Sequence, residues 1–169
     1  MKYIGILWNT ISELEDLVIT DINEMATVTE VHELDLSSQY ENFVRTIYEH
    51  DGIDKWKIDK KLEGMNSSNN QNVVILFIDV DDSERVFNSN KNKEVITNIE
   101  ALKKYIRTKY SQLIPNYYFD NVFHMTDNEE EVYSTLYALQ KIRPEIVESY
   151  KETLTNEEKG LVRERKIWK

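Results

Sequence analysis

The sequence predicts an α+β domain of the ferredoxin-like βαββαβ kind, an antiparallel sheet with helices on one face, enlarged by a helical hairpin and followed by a helical tail. Two unbroken apolar runs, Tyr3 to Trp8 and Val73 to Val80, read as central strands, because a strand covered on both faces loses the polar alternation of a half-exposed one. Amphipathic helical stretches separate these runs from two further strand-like segments, giving the order β, α, β, two helices, β, α, β, α. Only 4 glycines and 2 prolines in 169 residues imply long regular elements with few tight turns.

After the first strand, Ser12 and Glu15 have capping-box spacing, and Leu14, Leu17, Val18 and Ile22 fall on one helical face. Thr27 to Leu36 is rich in β-branched residues, with Val28, Val31 or His32, Leu34 and Leu36 competing for its inner face. Ser37 or Ser38 caps a helix that turns Tyr40, Phe43, Val44, Ile47 and Tyr48 inward and stops at Asp51-Gly52. Its hairpin partner, roughly Ile53 to Met65, carries Trp56, Ile58 and Leu62, and Asn66 to Gln71 is a polar loop.

Beyond the second apolar run, Ser83 to Lys93 reads as irregular and Glu94 to Tyr110 as a helix. Ile96, Ile99, Leu102, Ile106 and Tyr110 mark its inner face, and Lys103, Lys104, Arg107 and Lys109 crowd its last turns, where the macrodipole favours cations. Past Pro115 the aromatic run from Tyr117 to Phe119 reads as the fourth strand, and Val132 to Leu139 as the helix behind it, with Thr126 and Asp127 as candidate caps. Residues 1–142 are expected to form the domain and 143–169 a charged helical extension, in which Thr155 to Glu158 has capping-box form.

A formal charge of -10 and a pI near 4.9 argue against nonspecific binding to nucleic acid or an anionic membrane, while leaving room for a local basic pocket that takes a phosphate. No apolar stretch has the length of a membrane span, the first residues do not resemble a signal peptide, and there is no cysteine, so the expected setting is the cytoplasm. With 3 histidines and no thiol, a histidine-rich or thiolate metal site is not expected.

The chemistry concentrates between Asp120 and Glu131. His124 falls where a strand hands over to a helix, so packed elements hold it on both sides while its ring faces a cleft. The same residues also read as an ordinary strand end followed by an acidic helix start. Likewise the basic residues near Arg107 serve either as a phosphate-binding group or as a solvated complement to the helix dipole. Asp79 and Asp81, in a D-x-D pattern after the apolar strand, are candidate Mg2+ ligands or a plain strand-ending turn. The aromatics Tyr105, Tyr110, Tyr117, Tyr118, Phe119 and Phe123 read as core packing or as a base-stacking wall, with core the safer reading.

The stretch Asn121-Val122-Phe123-His124-Met125-Thr126-Asp127-Asn128-Glu129-Glu130 resembles the N-x-x-H-G-S-D-S-x-E motif of the nucleoside diphosphate kinases, matching at Asn121, His124, Asp127 and Glu130, with Thr126 replacing serine. Ile106-Arg107-Thr108-Lys109-Tyr110 is similar to that family's I-R-x-x-F segment, and Met65-Asn66-Ser67 followed by Val73-Val74 to its M-N-S-G-P-V-V passage. The resemblance runs in order from Tyr3 to Leu139 and implies a ferredoxin-like fold, a phosphate-accepting His124, and phosphate binding by Arg107 with help from Asn121 and Thr126. It further implies a base or substrate cleft lined by Tyr48 and Trp56, Mg2+ with a nucleoside di- or triphosphate or another phosphorylated small molecule, and a homo-oligomer. Departures accompany it. Trp8-Asn9-Thr10 stands where the family has K-P-D, Met125 replaces the glycine after the histidine, the glutamate that orients the histidine falls at Thr135, and only Arg85 and Thr97 lie near the family's other phosphate-binding arginine and threonine. Two other classes follow from these departures and from the charge: a catalytically inactive nucleotide-sensing or protein-interaction module, and an acidic inhibitor of a basic partner.

Overall fold

The computed structural model describes residues 1–66, 70–114, 117 and 121–164. It is a mixed α+β chain built on one four-stranded antiparallel sheet, in the spatial order β2 (Thr27–Asp35), β3 (Asn72–Asp79), β1 (Tyr3–Leu7), β6 (Phe123–Met125). Both apolar runs are the central strands. Residues 3–7 and 73–78 are buried on both alternating faces, so the helices are not confined to one face as expected; Tyr150 of α6 (Pro144–Glu152), for example, sits edge-on to Phe77 at 5.1 Å. A continuous apolar run can be buried only if both faces are covered.

Several local expectations change. Ser12 does not cap a helix: residues 9–14 form a 3-10 segment in which Ser12 Oγ donates to Asn9 O, and α1 (Glu15–Ile22) follows. In β2 a bulge between Val28 and Glu30 shifts the alternation, leaving Val31 46% exposed and turning His32 onto the Phe77 ring. The segment from Ser83 to Lys93, expected to be irregular, holds a hairpin of β4 (Arg85–Asn88) and β5 (Lys93–Ile96), so α4 (Thr97–Tyr110) starts later than predicted. The hairpin turn uses Asn92 at φ 53, a left-handed conformation that asparagine tolerates well.

The fourth strand is β6, with His124 at its centre, opposite Ile6 of β1; of the aromatic run expected to form it, Phe119 and Tyr118 lie outside the described residues. Asn128, not Thr126 or Asp127, caps α5 (Glu129–Ile142) by accepting from Glu131 N at 3.1 Å. Thr155 and Glu158 do cap α7 (Asn156–Glu164) reciprocally, at 3.1 and 3.2 Å. Ile146, Val147, Tyr150 and Leu154 from beyond residue 142 are buried in the same apolar cluster as the sheet. Among the described residues no helix is long and apolar enough to cross a membrane.

The corner that matters for the site joins α2 (Tyr40–His50) to α3 (Lys55–Asn66). Gly52, at φ +73, lets its own N–H reach Glu49 O at 3.0 Å and lets Ile53 N–H reach Tyr48 O at 3.1 Å, the pair of bonds that closes a helix C-terminus. This fixes Asp51 one residue past the helix. Gly52→Ala puts a Cβ on a left-handed residue and is expected to cost about 1 kcal/mol, read as a lower midpoint in denaturant titration.

Candidate functional site

A cavity of about 270 Å3 opens between the α2–α3 corner, the β4–β5 hairpin, α4 and β6. His124 stands in its wall. β6 places the ring there because Met125 and Phe123, its neighbours in the strand, point to the opposite face, where Phe123 closes on Gly5: a Cβ on Gly5 would lie 3.1 Å from the Phe123 ring. The imidazole is 4% exposed, its ring edge-to-face with Tyr48 at 5.5 Å and its Nε2 3.7 Å from Asp51 Oδ2. Tyr48 is itself held in place, accepting at its hydroxyl from Trp8 Nε1 at 2.9 Å.

Six cationic side chains line the cavity: Lys57, Lys61, Lys91, Lys93, Lys103 and Arg107, against the carboxyls of Asp51, Asp54 and Asp127. Within a chain of net charge -10 this is a concentrated reversal of sign. The electrostatics follow from the packing. Burial, then the charges of Lys103 and Arg107, pull the His124 imidazole well below its ordinary value, with Asp127 opposing and Lys61 reinforcing, so the ring is neutral at neutral pH. Burial pushes the Asp51 carboxyl up to about 7, helped by the charges of Glu131 and Asp127 and opposed by Lys93 and Lys103. For Asp127 burial would raise the carboxyl, but Lys103, Lys91 and Lys93 outweigh it and hold it well below the usual range. Lys103 is hydrogen-bonded to Asp127, and Lys93 and Lys91 approach the same carboxylate at 3.0 and 3.2 Å.

Of the residues singled out in sequence, His124, Tyr48, Arg107, Lys103 and Asp127 meet in this cavity, and Arg107 Nε also donates to Phe123 O at 3.1 Å. Several others do not line it. Thr126 is buried as a stitch between strands, its Oγ1 accepting from Ile4 N at 3.0 Å. Asn121 is fully buried, and its side-chain amide has no hydrogen-bond partner among the described residues. Trp56 is 55% exposed on α3, outside the lining, beside Lys57. Asp79 pairs with Lys2 at 3.2 Å, and Asp81 accepts from Ser83 N and Oγ at 3.0 and 2.7 Å in a turn. Arg85 is bound by Glu129 at 2.8 and 2.5 Å, and Lys109 by Asp21 at 2.8 Å.

The cavity does not suit a metal held by the protein. Among the described residues no three histidine or carboxylate groups converge on one point, and the most buried acid of the cavity, Asp127, is already surrounded by three ammonium groups. What the lining can hold is an anion with several oxygens, adjacent to a neutral imidazole.

Sequence reasoning missed Asp51, Lys61, Lys91 and Lys93. The last two were hidden by reading the hairpin as irregular, although Asn88-Ser89-Asn90 and Asn92 in a short span are turn residues between Val86-Phe87 and Val95-Ile96.

No family model matches the chain, and no curated protein matches it in sequence. Among solved structures, the nucleoside diphosphate kinase of Aquifex aeolicus, in an orthorhombic crystal form, is similar at 11% identity and a TM-score of 0.48, over 82% of this chain and 93% of that one.

Proposed function

We propose that this protein binds a nucleoside di- or triphosphate, or another phosphorylated small molecule, in the His124 cavity, and that His124 accepts a phosphoryl group. One observation carries the proposal: a buried, neutral imidazole shares a small cavity with six cationic side chains. A neutral imidazole has the lone pair a nucleophile needs, and the surrounding cations suit phosphate oxygens. In this reading Arg107 steadies phosphate, Tyr48 shapes the wall, and Thr126 fixes β6 to β1 rather than touching ligand. Mg2+ arrives with the nucleotide. The order β2–β3–β1–β6 supports the ferredoxin-like reading of the fold. A homo-oligomer in the cytoplasm belongs to the same proposal and rests on the motif resemblance and composition.

The test is incubation with γ-labelled ATP or GTP and Mg2+, followed by detection of acid-labile phosphate on the protein. Label is expected on the wild type and none on His124→Ala. No label across several nucleotides would sink the phosphotransfer reading.

A second reading, a nucleotide-sensing or interaction module without turnover, is favoured by the end of β1. Where the motif resemblance would place a phosphate-binding lysine, Trp8 is buried and donates from Nε1 to Tyr48 Oη at 2.9 Å, and Asn9 beside it donates to Met65 O at 2.9 Å and Asn70 O at 2.7 Å and accepts from Tyr40 Oη at 2.7 Å. Saturable nucleotide binding with no label would establish it.

A further inference from the structure

The cations of the cavity reach His124 by different routes. Lys91, Lys93 and Lys103 converge on Asp127, and Lys93 also meets Glu131 at 2.6 Å. They come from the hairpin and α4. Lys61 comes from the other wall, on α3, and is only 4% exposed. Its Nζ lies 4.5 Å from the centroid of the Tyr48 ring, the same ring whose edge-to-face partner is His124. The π face of a tyrosine attracts an ammonium, so Tyr48 draws Lys61 toward the imidazole. Tyr48 is in turn anchored by Trp8 at the end of β1, so the placement is tied to the sheet.

We propose that Lys61 is the catalytic cation of this cavity, its ammonium meeting the phosphoryl group as that group passes to or from His124. The inference rests on the phosphotransfer reading and gives the helical hairpin a role that β1, closed by Trp8 and Asn9, does not fill. In the forward step the lone pair of the unprotonated imidazole nitrogen forms the N–P bond. The P–O bond to the leaving group breaks, and its electron pair departs with the leaving oxygen. The other ring nitrogen keeps its proton, so the product is a phosphoimidazolium. Attack by an acceptor oxygen then breaks the N–P bond and returns the lone pair to the ring. In both directions negative charge is redistributed over the oxygens of the transferring group, and an ammonium fixed beside the nucleophile favours that arrangement over the ground state.

The experiment compares wild type, Lys61→Met and Lys61→Arg in single-turnover labelling of His124 with Mg2+ and γ-labelled ATP, with nucleotide affinity and the His124 titration followed by NMR for each. Lys61→Met should slow labelling roughly 100-fold or more while affinity changes by less than about threefold, and Lys61→Arg should recover part of the rate. Because the Lys61 charge contributes to the low His124 value, the imidazole should also titrate higher in Lys61→Met. Labelling within about threefold of wild type overturns the inference, as does a slower rate explained wholly by weaker binding. An unmoved His124 titration overturns it too. If Lys61→Met does not fold, Lys61→Gln takes its place under the same criteria. Absence of label on the wild type overturns the phosphotransfer reading and Lys61 with it; a labelled wild type with unaffected Lys61 variants removes Lys61 alone.

Discussion

Asp127→Asn is expected to destabilise the fold by about 3–5 kcal/mol, the largest loss of any isosteric change in the cavity. Asp127 is 2% exposed and answers Lys103, which is 5% exposed, together with Lys91 and Lys93. Neutralising the carboxylate leaves a buried ammonium without its counter-charge, and breaking such a pair costs far more than the intact pair contributes. The pH dependence follows from the sign of the shift. Asp127 is held below its ordinary value in the folded protein, so its contribution is fully present above the unfolded carboxyl value and is lost only as pH falls through the lower, folded one. The stability difference between wild type and Asp127→Asn should therefore stay constant above about pH 5 and close in stronger acid. Urea titrations across pH measure it, and a difference below about 1 kcal/mol near neutrality would show that the three ammonium groups find other partners. Inorganic diphosphate should stabilise Asp127→Asn more than wild type, because a bound anion restores the missing negative charge.

The sheet was legible because the physics that writes it is one-dimensional. Tyr3 to Trp8 and Val73 to Val80 are continuous apolar runs, and only strands buried on both faces need them. The α2 C-terminus was legible for the same reason: Gly52 is the one residue nearby that takes φ +73 without strain. The hairpin was not, since four-residue strands with Val86 and Phe87 exposed at 54% and 63% leave no burial pattern to read. His124 was found through its neighbours in sequence, and Arg107 through the helix that carries it. The cluster around them was hidden because its members meet only in space. Lys61, Lys93 and Asp51 come from three separate parts of the chain and look like ordinary surface charges until the α2–α3 corner and the hairpin close over β6. Trp56 shows the converse: the motif resemblance places it in the cleft, yet it stands two residues from the buried Ile58, off that face, and lies on the solvent side of α3.

Asp51→Asn should act in the opposite sense to Asp127→Asn, and the contrast separates the two acids of the cavity. The folded value of Asp51 is pushed up to about 7, so between the ordinary carboxyl range and that point the folded protein holds a proton that the unfolded chain has released. Stability must then fall as pH rises through this window, because the folded state binds more protons. A shift of that size corresponds to roughly 4 kcal/mol at most, and about 1–4 kcal/mol is the expected loss from this group between about pH 5 and pH 8. Asp51→Asn removes the slope, so it should match wild type near about pH 4 and be more stable near about pH 8, as urea titrations from about pH 4 to about pH 8 would show. The same charge bears on ligand. Once ionised, the Asp51 carboxylate stands 3.7 Å from His124 Nε2 and faces the incoming anion, alongside Asp54 and opposite Lys57, Lys61, Lys91, Lys93, Lys103 and Arg107. Diphosphate affinity measured by calorimetry should weaken about tenfold in wild type as pH rises past about 7 and stay nearly level in Asp51→Asn. Parallel pH profiles for the two proteins, in stability and in binding alike, would mean that Asp51 is solvated or paired at every pH and has no part in the cavity's charge.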